Sequence, residues 1–534
     1  MLSFRIAACK SITMKKVLNI LTALSITFIA NVSFAAPKLN SLSGADAVIF
    51  LDFDGHFVEG TLWNNGQSFN CSAANLTDAQ IKKIFQSVAE DFRPFKINIT
   101  TDSISFLNAP INRRMRIIVT PTSQWKNGVN GISFIGSFVW GDDTPGFVFS
   151  DKLSNNPKYI AECCSHESGH TLGLAHQSNY DNNCNMTETY HSGYGSGETS
   201  WAPIMGNSYQ KNMTGWNNGA TPYGCNNTQD NLTLIAEVND IAFREDDYSD
   251  AQDNSSFGIA SDDFIIKGMI NTSRDKDVFK LDINRETVLQ VMGVPYWEGN
   301  EVDNADLDIS IMLYNESHTL VKTFDPVESM SVGFETYLKA GTYYMVIDGV
   351  GNRFAGEYGS LGSYSITGTF KTPDAPKVML SGKTKFGKDM LEWKTTAYEE
   401  TISEQLEFST DGMMFTDISV LATISKSTSL SSGIYQNRYY RVKSTLSSGK
   451  AVYSNTVQLT NAGFEVATLI QSQMIVHAKQ NYTYLMSDIN GRILLKGNGN
   501  AGLNTTNVSN LASGTYVLTL IREGEKTSMR ILKQ

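Results

Sequence analysis

The sequence predicts a multidomain chain: an α/β domain over residues 36–245, followed by all-β sandwich domains. Three observations carry this. The chain has 534 residues, several times what a single core usually serves. Helical spacing of apolar residues is confined to the first half. From about residue 250 it gives way to short alternating strands separated by Gly, Asn and Asp turns.

In chain order, Met14-Lys15-Lys16, the apolar run Val17 to Ala30 and Ser33-Phe34-Ala35 before Ala36 come first. They read as the basic region, apolar region and small-x-small cleavage site of a secretory signal peptide spanning residues 1–35. The run is short for a membrane span, and no later stretch reaches ~18 uninterrupted apolar residues, so no transmembrane segment is expected in the mature chain. Losing Arg5, Lys10, Lys15 and Lys16 moves the formal charge from −11 to −15. An acidic exported protein is a poor partner for nucleic acid. Cys9 leaves too, so Cys71, Cys163, Cys164, Cys184 and Cys225 remain, an odd set with at least one thiol unpaired within the chain. Cys184 and Cys225 are expected to staple a loop. Cys163 reads as a small buried core residue rather than a metal contact.

In the α/β domain, Ala47 to Phe53 is a continuous apolar strand. Thr77 opens a Thr-x-x-Gln capping box, and Ile81, Ile84, Phe85, Val88, Ala89 and Phe92 follow at helical spacing until Pro94. Phe95 to Thr100 reads as an alternating strand, and Arg116 to Thr120 and Gly131 to Trp140 read as further strands, the last an edge strand by its glycines at 131 and 136. A further helix opens near Asn156 with Pro157 in its first turn. Thr228 is expected to cap a closing helix through Leu232, Leu234 and Ile235.

The run from His166 to His176, His-Glu-Ser-Gly-His-Thr-Leu-Gly-Leu-Ala-His, carries the chemistry. On a helix, His166 and His170 share a face and can offer imidazole nitrogens to one ion. Glu167 sits about 100° further round, placed to act as general base rather than as a ligand. Gly173 allows a left-handed residue that turns the chain and brings back His176 as third ligand. Three histidines on Zn²⁺ leave a position open for water, the mark of a catalytic site. This pattern resembles the metzincin zinc peptidases, and Met205 in Trp201-Ala202-Pro203-Ile204-Met205-Gly206 matches their Met-turn. The resemblance extends to the segments from Phe50 to His56 and from Val88 to Phe95, with His56 read as a loop residue rather than a ligand. Two departures stand out. Gln177 follows the third histidine where several metzincin families carry an acid, and Tyr209 lies four residues after Met205 rather than two. Tyr209 reads either as a transition-state hydrogen-bond donor or as a packing tyrosine.

Downstream, Gly268 to Leu281 with Asp306-Leu307-Asp308 and Gly341-Thr342-Tyr343-Tyr344 resembles a bacterial pre-peptidase C-terminal β-sandwich, over residues 250–371. Asp275, Asp277, Asp306 and Asp308 offer either a Ca²⁺ site or, the commoner role, solvated turn carboxylates. After Pro373 and Pro376, residues 374–460 resemble a fibronectin type III-like sandwich by Leu391-Glu392-Trp393, Tyr439-Tyr440-Arg441-Val442 and Tyr453-Ser454-Asn455. Residues 461–534 carry Asp488-Ile489-Asn490-Gly491-Arg492, Leu511 to Tyr516 and the basic end Met529 to Lys533. They resemble the type IX secretion sorting domain of Bacteroidetes. That resemblance implies a protein passed through the periplasm and the outer membrane by the secretion machinery, then released or held at the cell surface.

The function expected is that of a secreted zinc endopeptidase acting on protein or peptide substrates. His166, His170 and His176 hold Zn²⁺, Glu167 moves the proton of a zinc-activated water, and Met205 supports the site. A surface adhesin with an inactive or structural zinc site is the rival, and the intact Glu167 argues against it. Zinc hydrolysis of a non-peptide substrate is a third reading, open because fold does not fix substrate.

Overall fold

A strand buried on both faces starts the fold. Ala47–Asp52 (β1) has no exposed position, as an unbroken apolar run demands of a central strand. The computed structural model describes residues 36–295, 305–386, 388–421, 426–431, 437–460 and 463–534. The expected signal peptide lies outside them. The chain divides between Thr372 and Pro373 into two units, and strands far outnumber helices in it.

In the first unit, Asp78–Asp91 (α1) begins at Thr77, where both reciprocal bonds of the capping box form. Ile97–Thr100 (β2), Ser103–Asn108 (α2), Arg114–Thr120 (β3), Gly131–Ile132 (β4), Gly146–Phe149 (β5) and Pro157–Thr171 (α3) follow. The sheet order is β2-β1-β3-β5-β4, parallel except for β4, which runs antiparallel to β5 and closes one side. Two sequence expectations need correcting here. The strand expected over Gly131 to Trp140 pairs only at Gly131 and Ile132, because Gly136 turns left-handed (φ +78°) and Ser137–Val139 coils into a short 3₁₀ turn. β2 is buried throughout rather than alternating. α1 packs on one face of the sheet, and Phe106 of α2 packs against Val48 and Phe50 on the other. A third correction concerns the closing helix. It starts at Asp230, whose side chain accepts the Thr233 N–H at 3.0 Å, while Thr228 belongs to the strand Gly224–Thr228. It is a short α-turn running into a π-turn over Leu234–Val238.

A β-sandwich completes this unit. Phe257–Ile259 (β6), Asp263–Ile270 (β7), Lys276–Ile283 (β8), Thr287–Pro295 (β9), Ile309–Asn315 (β10), Leu320–Phe324 (β11), Val332–Leu338 (β12), Gly341–Gly349 (β13) and Gly362–Lys371 (β14) form two sheets. Their orders are β6-β8-β13-β10-β11 and β7-β14-β9-β12. The sandwich is no pendant, because one apolar core runs from Ile49 and Val88 through Trp216 to Leu307 and Ile366. Polar ties reinforce the junction. Glu90 of α1 accepts from the Ser363 N–H (2.6 Å) and hydroxyl (2.7 Å), and the Leu232 N–H donates to the Tyr358 hydroxyl at 3.0 Å. A Cβ at Gly359 would meet the Trp216 carbonyl at 2.3 Å, so the two backbones touch there.

The second unit holds two further strand sets. Lys377–Lys385, Lys388–Thr396 and Ser427–Ser431 form one sheet, and Thr401–Ser409, Thr416–Leu421, Asn437–Leu446, Ala451–Tyr453 and Val457–Thr460 form the other. Trp393 and Tyr440 are buried between them. Arg438 and Asp389, both fully buried, form an ion pair there that also takes the Tyr440 hydroxyl. The last set spans Phe464–Val466 to Glu525–Lys533 around Met474, Met486 and Leu518.

Candidate metal centre

α3 starts on an Asn156 cap with Pro157 in its first turn and ends at Gly173, whose φ of +97° turns the chain as a left-handed glycine should. That turn returns His176 to His166 and His170, and one nitrogen from each lies within 4.8 Å of the others. Second contacts fix the rings. His166 Nδ1 faces the Ile204 carbonyl at 2.8 Å and His170 Nδ1 faces the Leu174 carbonyl at 2.7 Å. A carbonyl only accepts, so each Nδ1 carries the proton and each Nε2 presents a lone pair to the centre. His170 Nε2 and His176 Nε2 lie 2.9 Å apart. Burial holds the basicity of all three down, with His176 lowered to about 4, so they stand as the neutral imidazoles a metal needs. Three neutral nitrogens converging from one helix and its turn fit a Zn²⁺ donor set.

Glu167 is buried beside this centre, and burial pushes its carboxyl up to about 8. Ser133 holds it, its hydroxyl lying 2.5 Å from Glu167 Oε2 and 2.9 Å from the Glu167 carbonyl. Gly131 gives it room, since a Cβ there would come within 2.6 Å of Glu167 Oε1. Met205 is buried below the helix, and a Cβ at Gly169 would meet its sulfur at 2.5 Å. The turn around Met205 also ties the ligand segments together. The Ile204 carbonyl holds His166, and the Met205 carbonyl accepts the Gln177 N–H at 2.8 Å, one residue past His176.

The centre opens into a cleft of about 490 Å³ bounded by the three histidines, Glu167, Tyr190, Tyr209 and the segment from Gly128 to Ser133. Tyr209 lines it with its ring packed on Tyr159, 5.4 Å between centroids, and burial raises its pKa. Cys163 is buried and free, and stands outside the histidine cluster. Cys184 and Cys225 form a disulfide. His56 faces Arg116 at 3.1 Å, away from the histidine cluster.

Sequence reasoning missed Gly131, Ser133 and Tyr190. The glycine was visible only as an edge signal, and nothing local marks the serine or the tyrosine, whose positions depend on long-range packing.

The acidic positions divide. Asp275, Asp277, Asp306 and Asp308 are all buried, which corrects the solvated-turn reading. Asp306 lies beside Asp91 of α1, and burial pushes both carboxyls well above the usual range. Asp308 Oδ2 accepts from Asn352 at 3.2 Å. Asp277 instead gathers with Asp246 and Asp247, and Asp275 with Asp246 and Asp250. The Oδ1 atoms of Asp275 and Asp277 are buried with no hydrogen-bond partner among the described residues. Burial and neighbouring charge raise Asp247 to about 6, Asp275 to about 7 and Asp277 to about 8. Repelling carboxylates with buried unpartnered oxygens fit a hard cation. Asp246, Asp247 and Asp250 escaped the sequence reading because an acidic stretch usually marks a solvated surface.

Comparison with known proteins identifies the C-terminal part. Residues 470–534 match the family model of a secretion system C-terminal sorting domain. The protein is therefore exported, to the medium or the cell surface, by the outer-membrane machinery that reads such a domain. Among the described residues no helix is long and apolar enough to cross a membrane. No curated protein matches the chain. Solved structures match in part. The pre-peptidase C-terminal domain of a Bacillus anthracis collagenase is 13% identical over 22% of this chain and 100% of its own, with a TM-score of 0.17. Fibronectin(III)-like modules of Clostridium thermocellum CbhA are 9% identical over 29% of this chain and 94% of theirs, TM-score 0.14. Pectate lyase PelI from Erwinia chrysanthemi is 17% identical over 18% of this chain, which spans only 31% of the lyase, TM-score 0.14. At such TM-scores these likenesses carry no argument about activity.

Proposed function

We propose that the protein is a secreted zinc-dependent endopeptidase of the metzincin type. The observation that carries this is the convergence of His166, His170 and His176 with Glu167 buried beside them. Zn²⁺ held by these imidazoles would supply Lewis acidity, making a water nucleophilic near neutral pH and polarising the scissile carbonyl. Glu167 takes the proton of the attacking water and passes it to the leaving amine, while Ser133 fixes the direction of its carboxylate. β4 ends the sheet, so its outer edge can pair with an extended peptide laid along the cleft. Met205 supports the ligands from below and does not meet substrate. The Asp246–Asp277 group would take a structural Ca²⁺ in the sandwich.

Mass-spectrometric mapping of a peptide library incubated with the mature chain, with and without a chelator, tests the reading. Internal cleavages that disappear with the chelator are expected. Cleavage indifferent to chelation, or none at all alongside ligand binding through the β-domains, would favour a non-zinc activity or an adhesin.

A further inference from the structure

Two tyrosines line the cleft, and their surroundings separate them. The Tyr209 ring is partly buried against Tyr159, 5.4 Å between centroids, and among the described residues it has no ring contact with the three histidines. The ring of Tyr190 lies directly against the metal-side rings, 4.4 Å from His176 and 6.4 Å from His166 between centroids. It is still 46% exposed, and its hydroxyl has no hydrogen-bond partner among the described residues. A phenol beside the ligands, lining the cleft and unengaged, is available to whatever enters.

Tyr190 is also held in place. On its N-terminal side the Ser178 hydroxyl donates to the Thr189 carbonyl at 2.7 Å, and on its C-terminal side the His191 N–H donates to the Gln177 carbonyl at 2.8 Å. Both partners lie within two residues of His176. The His191 carbonyl then accepts the Asn207 N–H at 2.9 Å, two residues past Met205. The tyrosine is thus pinned between the third-ligand segment and the methionine turn, and the Cys184–Cys225 disulfide anchors the loop that leads to it. Hydrogen-bond donors stabilise a developing oxyanion most when they are fixed before the reaction, since no reorganisation is then needed.

Resting on the peptidase reading above, we infer that Tyr190, and not Tyr209, is the catalytic residue whose hydroxyl donates to the carbonyl oxygen of the scissile bond as it becomes an oxyanion. Water adds to the carbonyl carbon, the π pair moves to oxygen, and Tyr190 binds that oxygen without giving up its proton. When the carbon–nitrogen bond breaks, the pair returns to the carbonyl and the amine leaves with the proton delivered by Glu167.

The test compares the zinc-loaded mature chain with Tyr190→Phe, which removes one exposed oxygen and keeps the ring. Zinc content and melting temperature should be unchanged. kcat on a library-derived peptide should fall about 10²-fold with KM held, as for loss of one oxyanion donor. Calorimetric affinity for a phosphonate peptide, whose tetrahedral anion resembles the oxyanion, should fall by a comparable factor, while a hydroxamate chelator should bind as before. Parent-like kcat and phosphonate affinity in Tyr190→Phe overturn the assignment and leave the peptidase reading standing. A parent that cleaves no peptide and binds no phosphonate removes the peptidase reading and the Tyr190 role with it.

Discussion

Gly131→Ala is a one-atom perturbation that reaches Glu167 and leaves the histidines alone. A Cβ at residue 131 would fall 2.6 Å from Glu167 Oε1, 2.7 Å from the Cys163 sulfur and 2.8 Å from Glu167 Cγ. Ordinary contact begins near 3.4 Å, so the carboxylate must retreat by about 0.8 Å. The Glu167–Ser133 bond of 2.5 Å has no slack for such a move, so the base loses its orientation. Misplacing a catalytic group by about 1 Å can cost roughly 10²-fold in rate. Overpacking costs about 1–3 kcal/mol, and the lost freedom of glycine in the unfolded chain returns about 0.5–1 kcal/mol. A net destabilisation of about 1–2 kcal/mol is therefore expected. The assay is kcat/KM on a peptide substrate, alongside zinc content and thermal melting of the same sample. Zinc should remain at the parent level while the rate falls about 10²-fold. A folded, zinc-loaded Gly131→Ala that cleaves as fast as the parent would refute the view that this glycine makes room for a working base.

Two other outcomes follow from the sandwich and the sorting domain. Asp275 and Asp277 have folded pKa values near 7 and 8 against an ordinary 3.8, so the unfolded chain releases their protons first, and stability falls as pH rises from about 4 to 8. Ca²⁺ should offset that loss, raising the melting temperature more at pH 8 than at pH 5, and Asp277→Asn should blunt the difference; an equal Ca²⁺ effect at both pH values would count against the site. Deleting residues 461–534, which contain the sorting domain, should trap the protein in the periplasm of a host with this secretion machinery. Normal appearance of the truncated chain outside the cell would show that export does not depend on it.

The convergence of the three histidines and the Thr77 cap were legible because each rests on local geometry: a helical spacing, a left-handed glycine, a reciprocal side-chain bond. The closing helix was misread because Thr228 and Asp230 are both acceptable caps, and strand pairing of Gly224–Thr228 with Ala220–Thr221 decided between them. Gly131 to Trp140 looked like one strand because its apolar residues continue past Gly136, where the backbone in fact turns away. The acids were hardest. Asp91 and Asp306 are 215 positions apart in the sequence yet lie side by side, and no local pattern announces that a carboxyl will be buried against another. Ser133 and Tyr190 belong with them, since each takes its place from a partner on another element.

The most direct measurement takes one preparation of the mature chain and its Glu167→Ala variant and records zinc by elemental analysis and proteolysis on the same peptide. In the proposed mechanism the histidines hold the ion and Glu167 moves the proton, so both proteins should carry about one Zn²⁺ per chain, while the variant loses about 10²–10⁴-fold in rate. Equal rates in the two proteins, or full zinc content after His166 and His170 are both replaced by Ala, would contradict the account.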